Sequence, residues 1–438
     1  MRFCFITLST LTLIVSTAAA SDDWPQFRGP GGQGHCAATG LPLKWSETEN
    51  VSWKTAIEGC AWSSPVVLGN QVWMTTALPT PATPEQTKRK LADIGMPVPS
   101  ASVAGSVTLK TVCIDRASGR LLQTITLFQV DEPLHICSVN SYASPTPVIE
   151  AGRLYCDFGT MGVACVNVAT GKILWKQRLP IEHQVGPGSS PILYGDLLVL
   201  VRDGCHEQYI TALSKNSGET VWKTDRPPLD ATGLPYKKAF STPLVIETAV
   251  GRQMIVPGAQ WVVSYEPDSG KPIWRVDTGK TFSNITRPVF AHGLVFIGTA
   301  FGGSQLLAIR VDGQGDVTGT HVAWQTHKQV PRRCSPLIDG DELYTVTDGG
   351  VASCLDARTG TVHWAERISG SYSASPVLVD DRIYFFSEDG TTTVVQPGKQ
   401  FHSLAENKID GRIMASVAIA DGAFFLRTGT HLYRIEEK

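Results

Sequence analysis

A single phrase recurs along this chain: a Pro after small polar residues, a hydrophobic strand bounded by Gly, then Asp/Asn-x-x-Thr/Ser-Gly-x-x-x-Trp. The clearest copies run from Ser144-Pro145 to Asn167 and Trp175, from Ser190-Pro191 to Ser217-Gly218 and Trp222, and from Ser335-Pro336 to Asp356, Gly360 and Trp364. Two more end at Trp274 and, after a longer turn, at Trp324. A repeat of about 40–50 residues made of short strands cannot bury its apolar face alone, so the units must stack into a propeller or an array.

Counting the copies decides between these. The opening Pro recurs at Pro65, Pro145, Pro191, Pro243, Pro288, Pro336 and Pro376, and Ala415-Ser416-Val417 stands in the same place in an eighth copy. That last unit supplies three strands and stops before any Trp strand, whereas Asn50 to Ile57, around Trp53, is a Trp strand with no unit in front of it. Joining the two completes a fourth strand and removes the unpaired sheet edges. The fold expected is therefore all-β: an eight-bladed β-propeller of four-stranded antiparallel blades, closed by the N-terminal Trp strand pairing with the C-terminal blade. The Thr-Gly or Ser-Gly dipeptide marks a tight turn where Gly takes positive φ. The Trp is large enough to fill the wedge between blades. Cys113, Cys165 and Cys354 lie six residues before the repeat Gly, where other units carry Ala212 and Ser264, so that position demands a small side chain.

Repeats reaching over most of the 438 residues imply one closed ring, at 45–438, rather than several domains. The first unit is stretched by a loop at about 79–106. Within it Thr83 as N-cap, Pro84, Gln86 and a terminal Gly95 write a short helix. Residues 21–44 are Gly-rich and read as an irregular strap draped over the ring. Residues 1–20 have a positive start, a short apolar run and an Ala-rich end before Asp22, the pattern of a signal peptide; the expected location is periplasmic or extracellular. No other window is apolar enough to span a membrane. A net charge of −2 with 18% charged residues has no basic footprint for nucleic acid. Loss of Cys4 with the signal leaves nine cysteines, and Cys36, Cys60, Cys137, Cys156, Cys205 and Cys334 cannot be paired from sequence. The chain is expected to be a monomer.

The search for chemistry is mostly negative. Gly29 to Gly34 satisfies G-x-G-x-x-G, but no strand leads in and no helix follows. Asp312 to Asp316 hints at a calcium loop, yet the twelfth position is Ala323 where a Glu is required, so a turn between strands is the better reading. The histidines are dispersed. No catalytic residue and no metal ligand is expected. More informative are the lead-in segments before each repeat Pro, which feed the strand lining the central channel. They place Trp62, Tyr142, Phe240, Arg332, Arg333 and Tyr372 at corresponding points in different units. Aromatic and Arg residues converging on one mouth form a binding funnel for a protein or a small anionic ligand.

On its Asp-x-x-Thr-Gly-x-x-x-Trp units the chain resembles the PQQ-repeat, quinoprotein-like eight-bladed propellers over nearly its whole length. Trp24 to Pro30, Asn140 to Pro147 and Gly186 to Pro191 resemble the secreted bacterial PQQ-binding-like propellers, which are compared with the BamB outer-membrane assembly scaffold. The superfamily implies two classes of function. PQQ-dependent alcohol and sugar dehydrogenases stack the quinone between a Trp and a disulfide of adjacent cysteines, hold calcium with Glu and Asn and use an Asp base; this sequence has no Cys-Cys pair and no residue matching that calcium site or base. Scaffolds of the BamB kind are non-catalytic and lipid-anchored, and no Cys stands at the cleavage point here. The resemblance therefore implies an exported, non-catalytic binding propeller without a cofactor, with a PQQ-dependent dehydrogenase acting on an alcohol or sugar as the alternative.

Overall fold

The structure is a computed structural model that describes residues 23–92 and 101–438. Eight sheets of four antiparallel strands follow one another around a ring. Blade 1 comprises Val66–Leu68, Gln71–Pro81, Ala104–Asp115 and Leu121–Asp131 from the centre outward. Blades 2 to 7 begin at Val148, Ile192, Leu244, Val289, Leu337 and Val377. Blade 8 takes Ala418–Ala420, Ala423–Arg427 and His431–Glu436 from the C-terminus and Val51–Ala56 from the N-terminus. Trp53 lies opposite Arg434 and Thr55 opposite Leu432 in this closing pair. The expected ring and its closure are both present.

The same packing unit is built in most blades. The repeat Trp on the outer strand lies directly across from the small residue on the third strand: Trp175 faces Cys165, Trp222 Ala212, Trp274 Ser264, Trp324 Ala308 and Trp364 Cys354. The small side chain lets the indole lean over it onto the second strand, where Tyr155, Phe296 and Tyr344 meet Trp175, Trp324 and Trp364 at 6.0–6.2 Å between centroids. One residue before the Trp, the outer strand bulges. Leu174 and Val221 are the extra residues and point to solvent.

The other face of each indole meets the next blade. Trp324 lies on Gly360, Trp175 on Gly218 and Trp53 on Gly119, the repeat glycines of the following turns. The indole N–H then donates to a carbonyl in that turn: Trp53 to Arg116 at 3.1 Å, Trp175 to Lys215 at 3.0 Å, Trp324 to Ala357 at 2.9 Å. The turn itself is held by its leading Asn or Asp, as when Asp356 Oδ1 accepts from the N–H groups of Arg358 and Thr359 and the Thr359 hydroxyl. An indole burying about 200 Å² at about 25 cal/mol per Å² contributes roughly 5 kcal/mol before ordering entropy is subtracted. Blade 1 has no Trp here, and Gln123 takes its place by donating to Val168 O at 3.1 Å.

Around the centre, a second ring of contacts joins the blades. The N–H of Ser64 donates to the Thr146 hydroxyl, Thr146 to Ser190, and Ser190 to Thr242; Ser335 likewise donates to Ser375 and Ser375 to Ser416. This chain of equivalents corrects the sequence register in the second unit. The strand follows Pro147 immediately, so Pro147, and not Pro145, is the repeat proline. Tyr142 is therefore five residues before its proline and does not correspond to Trp62 or Phe240.

The strap does not drape over the ring; it is built into the centre. Trp24 exchanges two backbone hydrogen bonds with Val67, Pro25 O accepts from Ile149, and Gly34 O accepts from Leu378. Arg28, 1% exposed, donates to the carbonyls of Pro336 and Pro376. Arg287 reaches in from blade 5 to Pro243 O and Phe27 O. Both guanidinium groups are pushed down to about 9 by burial. The apparent phosphate loop at Gly29–Gly34 is thus a plug, and a Cβ on Gly32 would strike the Arg287 guanidinium.

The helix is Pro84–Ala92, with the reciprocal capping bonds Gln86 N to Thr83 Oγ1 and Thr83 N to Gln86 Oε1. Gly95 and the signal segment 1–20 lie outside the described residues. The Asp312–Asp316 segment is more than a turn: Gly315–Asp316 pairs parallel to the outer strand of blade 4.

Gly360→Ala should cost about 2–4 kcal/mol in denaturant unfolding, from positive φ plus overpacking against Trp324, whereas Gly152→Ala, with φ also positive but open space around it, should cost only about 1 kcal/mol. Equal losses would show that the indole does not enforce the glycine. Removing residues 23–57 should leave blade 8 with an open edge and without its plug, seen as aggregation or a fall of many degrees in Tm; an unchanged Tm would refute closure by this strand.

Candidate functional site

An up-and-down blade sends its inner-to-second hairpin and its Thr-Gly turn to one face of the ring, and its lead-in segment and second-to-third loop to the other. The strap fills the centre from the turn face. The loop face is where side chains are released from the repeat, and it is there that the structure gathers chemistry.

Along blades 6, 7, 8 and 1, a charge relay crosses this face. Arg333 pairs with Asp348 at 3.4 Å and with Glu388 at 3.1 Å, and donates to Ser373 Oγ. Glu388 also accepts from Ser373 Oγ at 2.7 Å and from Arg412 at 2.7 Å. The Arg412 guanidinium lies 5.9 Å from the Trp62 ring centroid. Burial alone pushes the Glu388 carboxyl up, but the hydrogen bonds from Arg412 and Ser373 and the charges of Arg412 and Arg333 together hold it below the usual carboxylate range. Arg332 next to this relay is exposed, and among the described residues it makes no hydrogen bond or ion pair.

The six-residue funnel is corrected accordingly. Trp62, Arg332 and Arg333 share the rim of blades 6 to 1. Tyr142, Phe240 and Tyr372 are buried, at 4%, 6% and 0% exposure. Tyr142 belongs to the apolar cluster of blades 1 and 2. Phe240 is covered by His183 at 6.0 Å and lies against Gly188. Tyr372 donates to Ser369 O at 2.7 Å within the blade 6–7 core. Corresponding sequence positions do not share one environment because the connections that cover them differ in length and composition.

Beneath blades 2 to 4 the charges are internal. Arg202 forks onto Asp157 with two 2.9 Å bonds, and both are almost fully buried. Arg226 stands 3.2 Å from Asp203 and donates to Tyr265 Oη and Val256 O. Burial pushes Asp203 up to about 6 against the pull of Arg226. Burial, reinforced by Arg202, pushes His183 down to about 3, so this imidazole is neutral at physiological pH. Asp157 and Asp203 are occupied by guanidinium groups, a donor set that does not fit a divalent cation with a bound quinone, and no group of three or more potential metal ligands occurs among the described residues.

Sequence reasoning missed a cleft of about 710 Å³ on the same face. It lies between the connection leading into blade 4 and the loops of blades 4 and 5, lined by Asp230, Tyr236, Gln260, Asp277, Lys280 and Phe282 among others. The signal was available: residues 226–243 form the longest of the lead-in connections and carry a run of Pro, Asp and aromatic residues.

Comparison with known proteins agrees with this architecture. The family described as outer membrane protein assembly factor BamB matches residues 105–255 and 309–429. The BamB of Shewanella oneidensis is 21% identical over 268 residues, covering 57% of this chain and 64% of that protein, so the chain spans less than two thirds of that relative's length. The crystal structure of BamB from Moraxella catarrhalis superposes with a TM-score of 0.56 at 12% identity over 88% of this chain and 99% of that one. Quinohemoprotein alcohol dehydrogenase from Comamonas testosteroni superposes with a TM-score of 0.64 at 10% identity over 97% and 82%. At such identities these two structures speak for the fold alone. Among the described residues no helix is long and apolar enough to cross a membrane.

Glu388→Gln should destabilise the chain by about 1–2 kcal/mol at pH 7, because two arginines lose their shared charge. Since the folded-state pKa of Glu388 is depressed, its contribution is complete above the unfolded value and is lost as pH falls through the folded one. Unfolding curves of wild type and variant should therefore converge in acid; a gap that is constant with pH would exclude the relay.

Proposed function

The chain belongs to the BamB family of outer membrane protein assembly factors, and from that premise we propose that it is an exported, non-catalytic propeller that holds a polypeptide partner on its loop face. The observation that carries this reading is the contrast between the two faces. The turn face is sealed at its centre by residues 23–36. The loop face presents the free Arg332 beside an ion-paired rim and, across the ring, exposed Leu234, Tyr236 and Phe301. Mixed aromatic, aliphatic and Arg surface of this kind is the composition of binding hot spots. Export rests on the composition of residues 1–20.

The reading includes no quinone. Pairing of Asp157, Asp203 and Glu388 with arginines supports it, as does the lack, among the described residues, of any group of three or more potential metal ligands. Fold likeness to a dehydrogenase does not transfer the activity.

Two measurements test the proposal. A photo-crosslinking amino acid at Arg332 or Tyr236 should give a discrete adduct with one envelope polypeptide in the producing cell, whereas the same probe at Val250, 67% exposed on the turn face, should not; the reverse pattern would overturn the assignment of the face. An absorbance titration with PQQ and calcium should show no stoichiometric complex and no dye reduction with alcohols or sugars, and saturable tight binding with turnover would replace the scaffold reading by the dehydrogenase.

A further inference from the structure

The loop-face cleft between blades 3, 4 and 5 has walls and a floor of different chemistry. Its wall carries two rings, Tyr236 and Phe282, with Phe301 packed beside Phe282. Tyr236 meets Phe282 edge-on at 5.0 Å, and Phe282 meets Phe301 at 5.8 Å, with Tyr236 and Phe301 each 46% exposed. Its floor is Gln260, only 6% exposed, whose amide nitrogen is shared between Asp230 at 3.0 Å and Asp277 at 3.3 Å. The Gln260 carbonyl accepts the Asp230 N–H at 2.8 Å, which ties the long connection to blade 4. The Gln260 backbone is also held, its N–H donating to Thr281 O and its own carbonyl accepting from Thr278 N, both at 2.7 Å. The two carboxylates are thus brought together and fixed before any ligand arrives.

What distinguishes them is their company. Asp157, Asp203 and Glu388 are each paired with an arginine, but among the described residues neither Asp230 nor Asp277 has a Lys or Arg partner. Among the described residues, Asp277 Oδ1 accepts only the Gly279 N–H, at 2.6 Å. Lys280 is the one cationic side chain in the lining; it is exposed and forms no ion pair with either carboxylate among the described residues. The lining therefore carries one more negative than positive charge.

We propose that this cleft receives the cationic side chain, Arg or Lys, of the polypeptide that docks on the loop face, a reading that rests on the protein-binding function above and specifies its chemistry. A guanidinium or ammonium satisfies both halves of the site at once, stacking on the ring faces while hydrogen bonding to Asp230 and Asp277. An apolar side chain would desolvate the two carboxylates without compensation, and an anion would be repelled by them. The volume of about 710 Å³ exceeds one side chain and leaves room for the flanking backbone of an extended segment.

The test uses the full exported chain and a fluorescein-labelled peptide, Gly-Ser-Arg-Ser-Gly, followed by fluorescence anisotropy. The Arg peptide should bind saturably, and the peptide with neutral citrulline in place of Arg should bind about tenfold more weakly. Asp230→Asn and Asp277→Asn should each weaken Arg-peptide binding about fivefold, and Tyr236→Ala, at the exposed ring of the lining, should weaken it at an unchanged unfolding midpoint. Equal binding of the two peptides, binding indifferent to these substitutions, or no binding of the Arg peptide would each overturn the proposal. Any of these results alongside an intact crosslink from Arg332 would reject the cleft while leaving the partner-binding reading in place; loss of that crosslink as well would reject both.

Discussion

Four of the blade interfaces depend on an indole resting on a glycine: Trp53 on Gly119, Trp175 on Gly218, Trp222 on Gly270 and Trp324 on Gly360. The contact is demanding from both sides: in blades 2, 3 and 5 the ring clears its own third strand because Cys165, Ala212 and Ala308 stand opposite it, and the next blade offers a turn without a Cβ. The intervening bulge rotates the outer strand so that the Trp turns inward while its predecessor faces water. Exposed Leu174 and Val221 are therefore by-products of a geometric device and need no partner to explain them. Because Trp53, Trp175 and Trp324 also donate to a carbonyl of the next turn, a blade out of register at these interfaces would lose a hydrogen bond and a packing surface together.

The ring so formed has an open centre whose inner strands present unpaired backbone groups. A propeller must satisfy them or leave them to water. Here the N-terminal strap supplies the partners, with Trp24, Pro25 and Gly34 bonding to blades 1, 2 and 7. Arg28 and Arg287 fill what remains by donating to carbonyls instead of pairing with carboxylates, which accounts for their lowered pKa values. Once one end of the axis is occupied in this way, the loops of the opposite face are the segments free to vary, and the uneven lead-in connections are where the blades cease to resemble one another.

That freedom separates two uses of charge. Asp157 and Glu388 are met by arginines from neighbouring blades, and these pairs serve to fasten blades together. Asp230 and Asp277 are held instead by one neutral amide. The same residue types thus form struts in one sector and a receptive surface in another, and the distinction lies entirely in which partner the neighbouring loop supplies.

Blade number, ring closure, the turn glycines, the wedge indoles, the small residue opposite them and the capped helix at Pro84–Ala92 were all legible in the chain, because each is a local spacing repeated or punctuated along one segment. The functional surface was legible only in part. Trp62, Arg332 and Arg333 do reach one rim, but Tyr142 was misplaced by a two-residue slip at Pro147, and Phe240 and Tyr372 are covered by side chains distant in sequence. The strap was recognised as irregular, yet its burial depended on inner strands hundreds of residues away. The sequence by itself determined how each blade is built and how the ring closes, since those follow from period and turn chemistry. Only the tertiary structure decided which lead-in residues stay exposed, which charges are neutralised and where a cleft opens, because these depend on connections from different blades meeting in space, and no spacing along the chain encodes that meeting.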